Sequence, residues 1–475
     1  MNNKISLIIC VKNGMPYLKD AIKSILLQDY QNYEIIVIES KSYDGTNEWL
    51  SILRHKKIKK FCQHDNKGKF SALNFGIKKS KGNIIGILHA DDIIPSKTVL
   101  SEINNSFKIK KCDVLFGNIA FCERENLNNF KRYWDNKNSI NEFNPPPHTG
   151  IYLKSAIAKK IKYSLKYKVS SDYDYILSLL KKNLIFYKLS RVVCLMRLGG
   201  ESTNIKFLFT KTKEDLLILK KFFKNYLFVF IKKIIQKIPQ LFKSTKIKKK
   251  FIEEISYNKI NVVDRIKEIK SKNFILCGLN LAYLGFFKKI AYNNNIYLWK
   301  DGYFSKYFSK NYKKNPGRDL IRNIFNELKL SKITIIGNLK KKEKNFLEEK
   351  NKDIIINFIK LPYFNKLEEI KDQIKLYNND LIIITIPTPK QELLANYISY
   401  TKKNYKIICI GGGLAMASGS EKTVPYILYK INLEFLWRLI SSDFLRRLFR
   451  LIYSFLIFYK NFIFNKKLYS RIREI

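Results

Sequence analysis

Residues 6–46 read SLIICVKNGMPYLKDAIKSILLQDYQNYEIIVIESKSYDGT, and their alternation decides the fold. Ser6–Val11 is a short, apolar, β-branched run of strand character. Pro16, a favoured first-turn residue, opens the amphipathic helical stretch YLKDAIKSILLQ. Glu34–Glu39 returns to strand character and runs into the polar turn SKSYDGT. Strand–helix–strand order of this kind predicts a largely parallel sheet with helices on both faces. Two further strand candidates, Ile84–His89 and Asp113–Gly117, carry this α/β pattern through a first domain spanning 1–205.

Working outward, the runs NFILCGLN, NIYLWKDG, KITIIGN, DLIIITIPTP and YKIICIGGG predict a second, Rossmann-like α/β domain over 255–432. Residues 206–254 differ from both. Phe, Leu and Ile mix there with dense Lys and few acids, and Phe223, Leu227, Phe230 and Ile234 fall on one helical side. This stretch predicts a basic amphipathic helical linker. The tail, 433–475, is basic and helical in pattern. At 100° per residue, Phe444, Leu448, Leu451, Ile452 and Phe455 share one side, and Arg446, Arg447 and Arg450 fall on the other. Helices of this type lie in the plane of an anionic membrane or turn their apolar side to a core.

The chain has 475 residues, about three times a typical domain. With 46% hydrophobic residues it is no disordered chain. Lys plus Arg number 89 against 40 Asp plus Glu, a formal net charge of +49. Partners expected for such charge are nucleic acid, an anionic membrane face or phosphate-rich ligands. Nucleic acid is disfavoured, because the sequence holds no zinc finger, no groove-reading basic helix and no paired aromatic RNA motif. The seven cysteines include no pair two or three residues apart, and most sit in apolar runs. They read as small core residues in a reducing, cytoplasmic compartment. The N-terminus reads as a first strand, not a signal peptide. No run reaches about 18 uninterrupted apolar residues, so no membrane-spanning helix is expected.

The best-placed acids are Asp91 and Asp92 of His89-Ala90-Asp91-Asp92, directly after an apolar strand. Carboxylates at the C-terminal end of a parallel strand sit where α/β sheets bind ligands. Two adjacent acids there suit a divalent cation such as Mg²⁺ or Mn²⁺, and equally suit a helix cap, since Ile-Pro-Ser follows. Downstream, Asp172 and Asp174 precede an apolar helical run, one able to cap it and the other to act as a general base. In the second domain, Asp301, Gln391, Glu392 and the Gly411–Gly413 run each follow a strand.

The N-terminal pieces, SLIICVKNGMPYLKDAIKSILLQDYQNYEIIVIESKSYDGT, GNIIGILHADD, HTGIYLKSAI, SSDYDYILSLL and MRLGGESTN, resemble glycosyltransferase family 2, of the GT-A fold, over about residues 4–205. The resemblance implies that Glu39 and Asp44 lie at the nucleotide, that Asp91 and Asp92 hold a metal–diphosphate, and that Asp172 deprotonates the acceptor, giving inversion. His148 is a further candidate contact to diphosphate or acceptor. Two departures stand out: Glu39 replaces the frequent Asp, and His89 replaces the first Asp of the family's DxD.

The later pieces, CGLN, WKDG, PGRDL, IIGN, PTPKQE, CIGGGLAMASG and EFLWRLISSDFLRRLFR, resemble the WecG/TagA/CpsF family, glycosyltransferase family 26, over about 255–450. This resemblance implies Asp301 as catalytic base and Asn280 at the donor or acceptor pocket. Gln391 and Glu392 would contact substrate, and Arg438, Arg446 and Arg447 would grip diphosphate. No cofactor is expected in this domain. Gly278 stands where members often carry Thr.

Together the resemblances imply a bifunctional glycosyltransferase. It would use UDP-sugars and a polyprenyl-diphosphate-linked glycan, as a peripheral protein on the inner face of the cell membrane. The alternative keeps catalysis in the first domain and makes the second a degenerate lipid-diphosphate clamp.

Overall fold

The computed structural model describes the chain except residues 1–2, 64–67, 125, 136–142, 144, 200–204, 237–259, 292–294, 309–314, 363, 365–368, 371–373, 375–379, 403, 423, 431–432, 435–436, 438–443, 465–468, 470–471 and 475. It divides into two compact units. One comprises Met1–Ser42 and Trp49–Tyr257, the other Tyr43–Glu48 and Asn258–Ile475.

The N-terminal unit is built on an eight-stranded sheet. Its strands are β1 (Ile5–Val11), β2 (Tyr33–Glu39), β3 (Ile58–Cys62), β4 (Ile84–Ile87), β5 (Val114–Glu123), β6 (Asn126–Trp134), β7 (Ile151–Lys154) and β8 (Phe186–Arg197). The order is β3-β2-β1-β4-β7-β5-β6, with β8 paired to β5. β1, β2, β3 and β4 are mutually parallel where they pair. β7 then runs antiparallel to both β4 and β5, and β6 antiparallel to β5. β8 runs parallel to β5. The sheet is therefore largely parallel, as expected. Among the described residues, antiparallel strand pairings occur only where β7 meets β4 and β5 and where β6 meets β5. The parallel half coincides with the strand–helix alternation. Among the antiparallel pairs only β5 and β6 are joined by a short hairpin connection, which needs no crossover helix.

The helices of this unit are α1 (Tyr17–Leu26), α2 (Thr46–Ile52), α3 (Gly68–Lys79), α4 (Val99–Lys110), α5 (Ser155–Lys160), α6 (Ser171–Leu180), α7 (Ile205–Phe222) and α8 (Tyr226–Ile235). α1 begins after Pro16 and buries Leu18, Ala21, Ile22 and Ile25, the three-and-four spacing legible in the sequence. α7 and α8 pack on α6 through Ile218, Leu219 and Val229 against Tyr173 and Leu177. The expected apolar stripe of the linker does not form one buried face: Phe223 lies between the two helices, and Leu227 and Ile234 are exposed.

In the C-terminal unit every strand pairing is parallel. The strands are β9 (Ile260–Val263), β10 (Phe274–Gly278), β11 (Ile296–Trp299), β12 (Lys332–Ile336), β13 (Ile355–Ile359), β14 (Leu381–Ile384), β15 (Lys406–Cys409) and β16 (Ile472–Glu474). Their order is β13-β12-β14-β15-β10-β11-β9-β16. Successive residues of β10 enter opposite clusters, Ile275 and Cys277 in one, Phe274 and Leu276 in the other. A parallel sheet covered on both faces requires such continuous apolar runs. The helices are α9 (Leu281–Ile290), α10 (Gly317–Glu327), α11 (Lys341–Lys350), α12 (Lys390–Thr401), α13 (Gly413–Ala417), α14 (Tyr426–Lys430) and α15 (Phe444–Phe464).

α15 crosses α9 closely: a Cβ on Gly285 would meet Ser454 Cα at 2.5 Å. Its packed side carries Ser454, Phe458 and Asn461, so Phe444, Ile452 and Phe455 of the expected apolar side stay exposed. Arg447 does not sit on a solvated face. It is partly buried, with Nη2 3.1 Å from Glu421 Oε1. Beyond this helix, β16 adds a strand to the sheet beside β9. Cys112, Cys122, Cys194, Cys277 and Cys409 are buried and free, as expected of core residues; Cys62 is exposed. No helix among the described residues is long and apolar enough to cross a membrane.

Candidate functional site

In the N-terminal unit the site is laid out from the end of β4. His89, Asp91 and Asp92 bring one ligand atom each to within 4.8 Å of one another. The two acids have different surroundings. Asp92 is buried, with Oδ1 accepting from the Arg197 backbone N–H at 3.0 Å and Oδ2 3.2 Å from His89 Nδ1. Burial raises its pKa, against the pull of the His89 hydrogen bond. Asp91 keeps a quarter of its side chain exposed, and Oδ2 accepts from Arg124 Nη1 at 2.9 Å. The arrangement fits a divalent cation with Asp91 as the accessible ligand, and Asp92 and His89 behind it. Asp92 alone would be a poor ligand, since both of its oxygens are already engaged.

His89 connects onward. Its Nε2 lies 2.7 Å from His148 Nε2, and His148 Nδ1 lies 3.1 Å from the Tyr163 hydroxyl. Tyr163 stacks on Tyr175 at 4.2 Å between ring centroids. Burial lowers the His89 pKa, but its hydrogen bond to Asp92 and the two carboxylates outweigh that, and the net direction is up. His148 goes the other way, well below the ordinary histidine value, through burial and then the charge of His89. The pair thus favours one charged and one neutral ring. Burial, and then the charges of Tyr175 and Asp172, push the Tyr163 hydroxyl well up. His148, offered by the sequence as an isolated candidate, is part of this Asp92–His89–His148–Tyr163 line.

Asp172 stands in the first turn of α6, partly exposed, with Oδ1 accepting from the Tyr173 N–H at 2.9 Å. Asp174 is buried and paired with Lys221 at 2.8 Å. Glu39 ends β2 with its carboxylate buried, accepting from the Ser42 N–H. Asp44 accepts from the Thr46 hydroxyl at 2.6 Å and its N–H at 3.1 Å, a cap for α2. Arg197, which pairs with Asp20 at 2.5 Å and donates to the Asp91 carbonyl at 2.6 Å, was not singled out from the sequence. Its signal was there, in MRLGG.

In the C-terminal unit the candidates lie at the C-terminal ends of four neighbouring strands, β14, β15, β10 and β11. Asn280 caps α9 by accepting from the Tyr283 N–H at 3.0 Å, and donates through Nδ2 to Asp301 Oδ2 at 2.9 Å. Asp301 Oδ1 accepts from the Gly317 N–H at 3.3 Å, and the residue is partly exposed. A Cβ at position 278 would lie 2.7 Å from Asp301 Oδ2. Gly278 therefore leaves room for this aspartate. Gln391 and Glu392 begin α12. Gln391 Oε1 accepts from the Gly411 N–H at 2.9 Å, and its amide donates to Thr388 Oγ1 and Glu392 Oε1. Glu392 is buried; its Oε2 has no hydrogen-bond partner among the described residues, and burial raises its pKa to about 7. Arg438 lies outside the described residues, as does the side chain of Arg446.

Residues 6–169 match the family "Glycosyl transferase family 2", and residues 262–471 match "Glycosyl transferase WecG/TagA/CpsF family". An uncharacterised glycosyltransferase of Rickettsia prowazekii is 30% identical over 46% of this chain and 75% of its own length. Uncharacterised glycosyltransferases of Haemophilus influenzae (36% identical over 26% of this chain) and Rickettsia typhi (33% over 38%) are similar too; the match spans 49% and 60% of their lengths. Among solved structures, residues 1–349 of Staphylococcus aureus TarS are 17% identical with a TM-score of 0.39, covering 53% of this chain and 81% of that one. The mannosyltransferase PcManGT of Pyrobaculum calidifontis, solved with GDP-Man and Mn²⁺, is 16% identical with a TM-score of 0.37, covering 46% and 64%. The chain is a glycosyltransferase that joins a family 2 domain of GT-A fold to a WecG/TagA/CpsF family domain.

Proposed function

We propose that both domains are inverting glycosyltransferases, each adding one sugar from a UDP-sugar to a glycan carried on polyprenyl diphosphate, at the inner face of the cell membrane. In the N-terminal domain Asp172 takes the proton of an acceptor hydroxyl. The oxygen attacks the anomeric carbon as the bond to the nucleoside diphosphate breaks, and the configuration inverts. A divalent cation held by Asp91, with Asp92 behind it, would neutralise charge on the departing diphosphate. Arg124 and Arg197 orient the two acids and keep Asp91 facing outward. In the C-terminal domain Asp301 has the same role, oriented by Asn280 and the Gly317 N–H. Gln391 fixes the Gly411 turn at the C-terminal end of β15. Carrying both activities on one chain would keep the lipid-linked intermediate at raised effective concentration.

The observation that carries this reading is the hydrogen-bonded line from Asp92 to Tyr163, whose ring stacks on Tyr175 of α6, the helix with Asp172 in its first turn. The positive charge supports the membrane part, at about 1 kcal/mol for each Lys or Arg near an anionic surface. The test is incubation of the full chain with UDP-sugars and membrane lipid extract, followed by mass spectrometry of the lipid products. Two additions are expected. Asp172→Asn should abolish the first while donor binding survives, and Asp301→Asn should abolish the second. Full transfer by Asp172→Asn would overturn the mechanism. An unchanged second addition in Asp301→Asn would refute Asp301 as its base, and a single addition by the wild-type chain would leave the C-terminal domain as a binding module.

A further inference from the structure

In the helical hairpin α7–α8, α7 packs inward through Ile218 and Leu219, but α8 turns most of its apolar side chains outward. The inner side of α8 carries Val229 and a lysine, Lys233, whose Nζ sits 2.8 Å from Asp215 Oδ2 and 3.2 Å from the centroid of the Tyr173 ring. Both members of this pair are buried. The outer side carries Leu227, Phe228, Ile231, Ile234 and Ile235, each between 48 and 62% exposed. At 100° per residue these five fall within one 120° sector of the helix. A water-facing helix has the opposite arrangement, with lysine outside and isoleucine inside. No apolar surface among the described residues covers this stripe.

Charge is sorted in the same way. The hairpin has only two acids, Glu214 and Asp215, and both are committed inward. Asp215 holds Lys233. Glu214 accepts from the backbone N–H groups of Lys168, Val169 and Ser170, the loop that leads into Asp172. The outer side of α7 presents exposed Lys213 and Lys220 beside exposed Phe209 and Leu217, and the turn to α8 adds exposed Lys224. The outward surface is therefore apolar and cationic, without a carboxylate of its own.

From this sorting we infer that the outer face of the α7–α8 hairpin docks on an anionic lipid bilayer. The α8 stripe enters the interface and the α7 lysines meet lipid phosphates. The charge complementarity selects a lipid surface over an apolar protein partner: a protein groove would answer five aliphatic and aromatic side chains but not the lysine row beside them. The inference rests on the peripheral-membrane reading above and adds the surface that does the docking. It also ties that surface to the site, since Glu214 on α7 holds the loop entering α6. Docking would thus set Asp172 at a fixed height above lipid headgroups, where a lipid-linked hydroxyl arrives.

The test is sedimentation of the full chain with vesicles of phosphatidylcholine alone, or of equal parts phosphatidylcholine and phosphatidylglycerol. Binding is expected to the anionic vesicles and to weaken with salt. Phe228→Glu/Ile231→Glu should lower binding more than tenfold with an unchanged circular dichroism melt, because both residues are exposed. Lys213→Gln and Lys220→Gln should each lower it about fivefold, the equivalent of about 1 kcal/mol, on anionic vesicles only. A parallel variant, Phe449→Glu/Leu456→Glu, alters exposed residues of α15. If it alone loses binding while the hairpin variants keep it, the hairpin assignment falls and the peripheral reading stands. If the wild-type chain binds no vesicle, both fall. Self-association of the chain that Phe228→Glu/Ile231→Glu abolishes, with vesicle binding intact, would make a second copy the occupant and overturn the inference.

Discussion

Replacing Glu392 with Gln should stabilise the C-terminal domain, and by an amount that depends on pH. The carboxyl is buried at the start of α12, with Oε1 accepting from Thr388 Oγ1 and Gln391 Nε2 and with Oε2 unpartnered. Burial raises its pKa from 4.5 to about 7. Between these values the unfolded chain has released a proton that the folded chain keeps. The folded state then binds more protons, so stability falls as pH rises from 4.5, and levels off above about 7. The gap of 2.5, at 1.36 kcal/mol per unit, makes the loss about 3 kcal/mol. Gln keeps both hydrogen bonds to the oxygen and cannot ionise. The two proteins should therefore unfold at nearly the same urea concentration at about pH 4, with the variant the more stable by about 3 kcal/mol at about pH 8. Fluorescence of Trp299, 1% exposed in the sheet core, marks the C-terminal domain's transition. If wild type and variant show parallel pH dependence over this range, Glu392 titrates as an ordinary carboxyl and the reasoning fails.

Gly278→Ala should force its Cβ against Asp301 Oδ2. That would cost about 1–3 kcal/mol in strain and abolish the second sugar addition while the first continues, as read by lipid mass spectrometry. Lys233→Met leaves Asp215 buried without its partner and should cost about 3–5 kcal/mol in urea unfolding. Lys233→Met/Asp215→Leu should recover most of that loss. Tyr163→Phe removes the hydroxyl at His148 Nδ1. The buried ring nitrogen then lacks its partner, for about 1–3 kcal/mol measured by thermal unfolding.

The central parallel strands β1, β2 and β4 of the first sheet and β10, β11, β12, β14 and β15 of the second were legible because each is a continuous apolar run ending in a turn. By contrast, β3 (IKKFC) and the edge strand β16 (IRE) carry too many charged residues to read as such. Nor was the antiparallel part of the first sheet legible. β6 reads NLNNFKRYW, whose Asn and Lys residues break the alternation that marks a strand. It is held by pairing with β5, a contact between residues that no local window contains. The acids of the site were legible by type and place, but their division of labour was not. Arg197 determines what Asp92 and Asp91 each do, and it lies more than a hundred positions downstream. The facing of α8 was misread for a related reason. The pattern of α8 is amphipathic either way, and only the packing of Lys233 against Asp215 and Tyr173 says which side faces inward.

At two places in the N-terminal domain the sequence offers two carboxylates, and the fold commits one and leaves the other facing out. Asp92 is taken by the Arg197 N–H and by His89, while Asp91 stays a quarter exposed. Asp174 is taken by Lys221, while Asp172 is partly exposed at the start of α6. The committed acid is costly to bury alone, so it comes with hydrogen-bond donors that fix the local backbone. That fixed backbone in turn holds its neighbour's side chain at a set angle, which a reacting group requires. A paired acid is therefore not redundancy. Removing Asp92 or Asp174 should disturb folding first and transfer second, whereas removing Asp91 or Asp172 should spare stability and stop the chemistry. Urea midpoints and transfer rates on the four Asn variants would separate the two classes, and equal behaviour within either pair would dissolve the distinction.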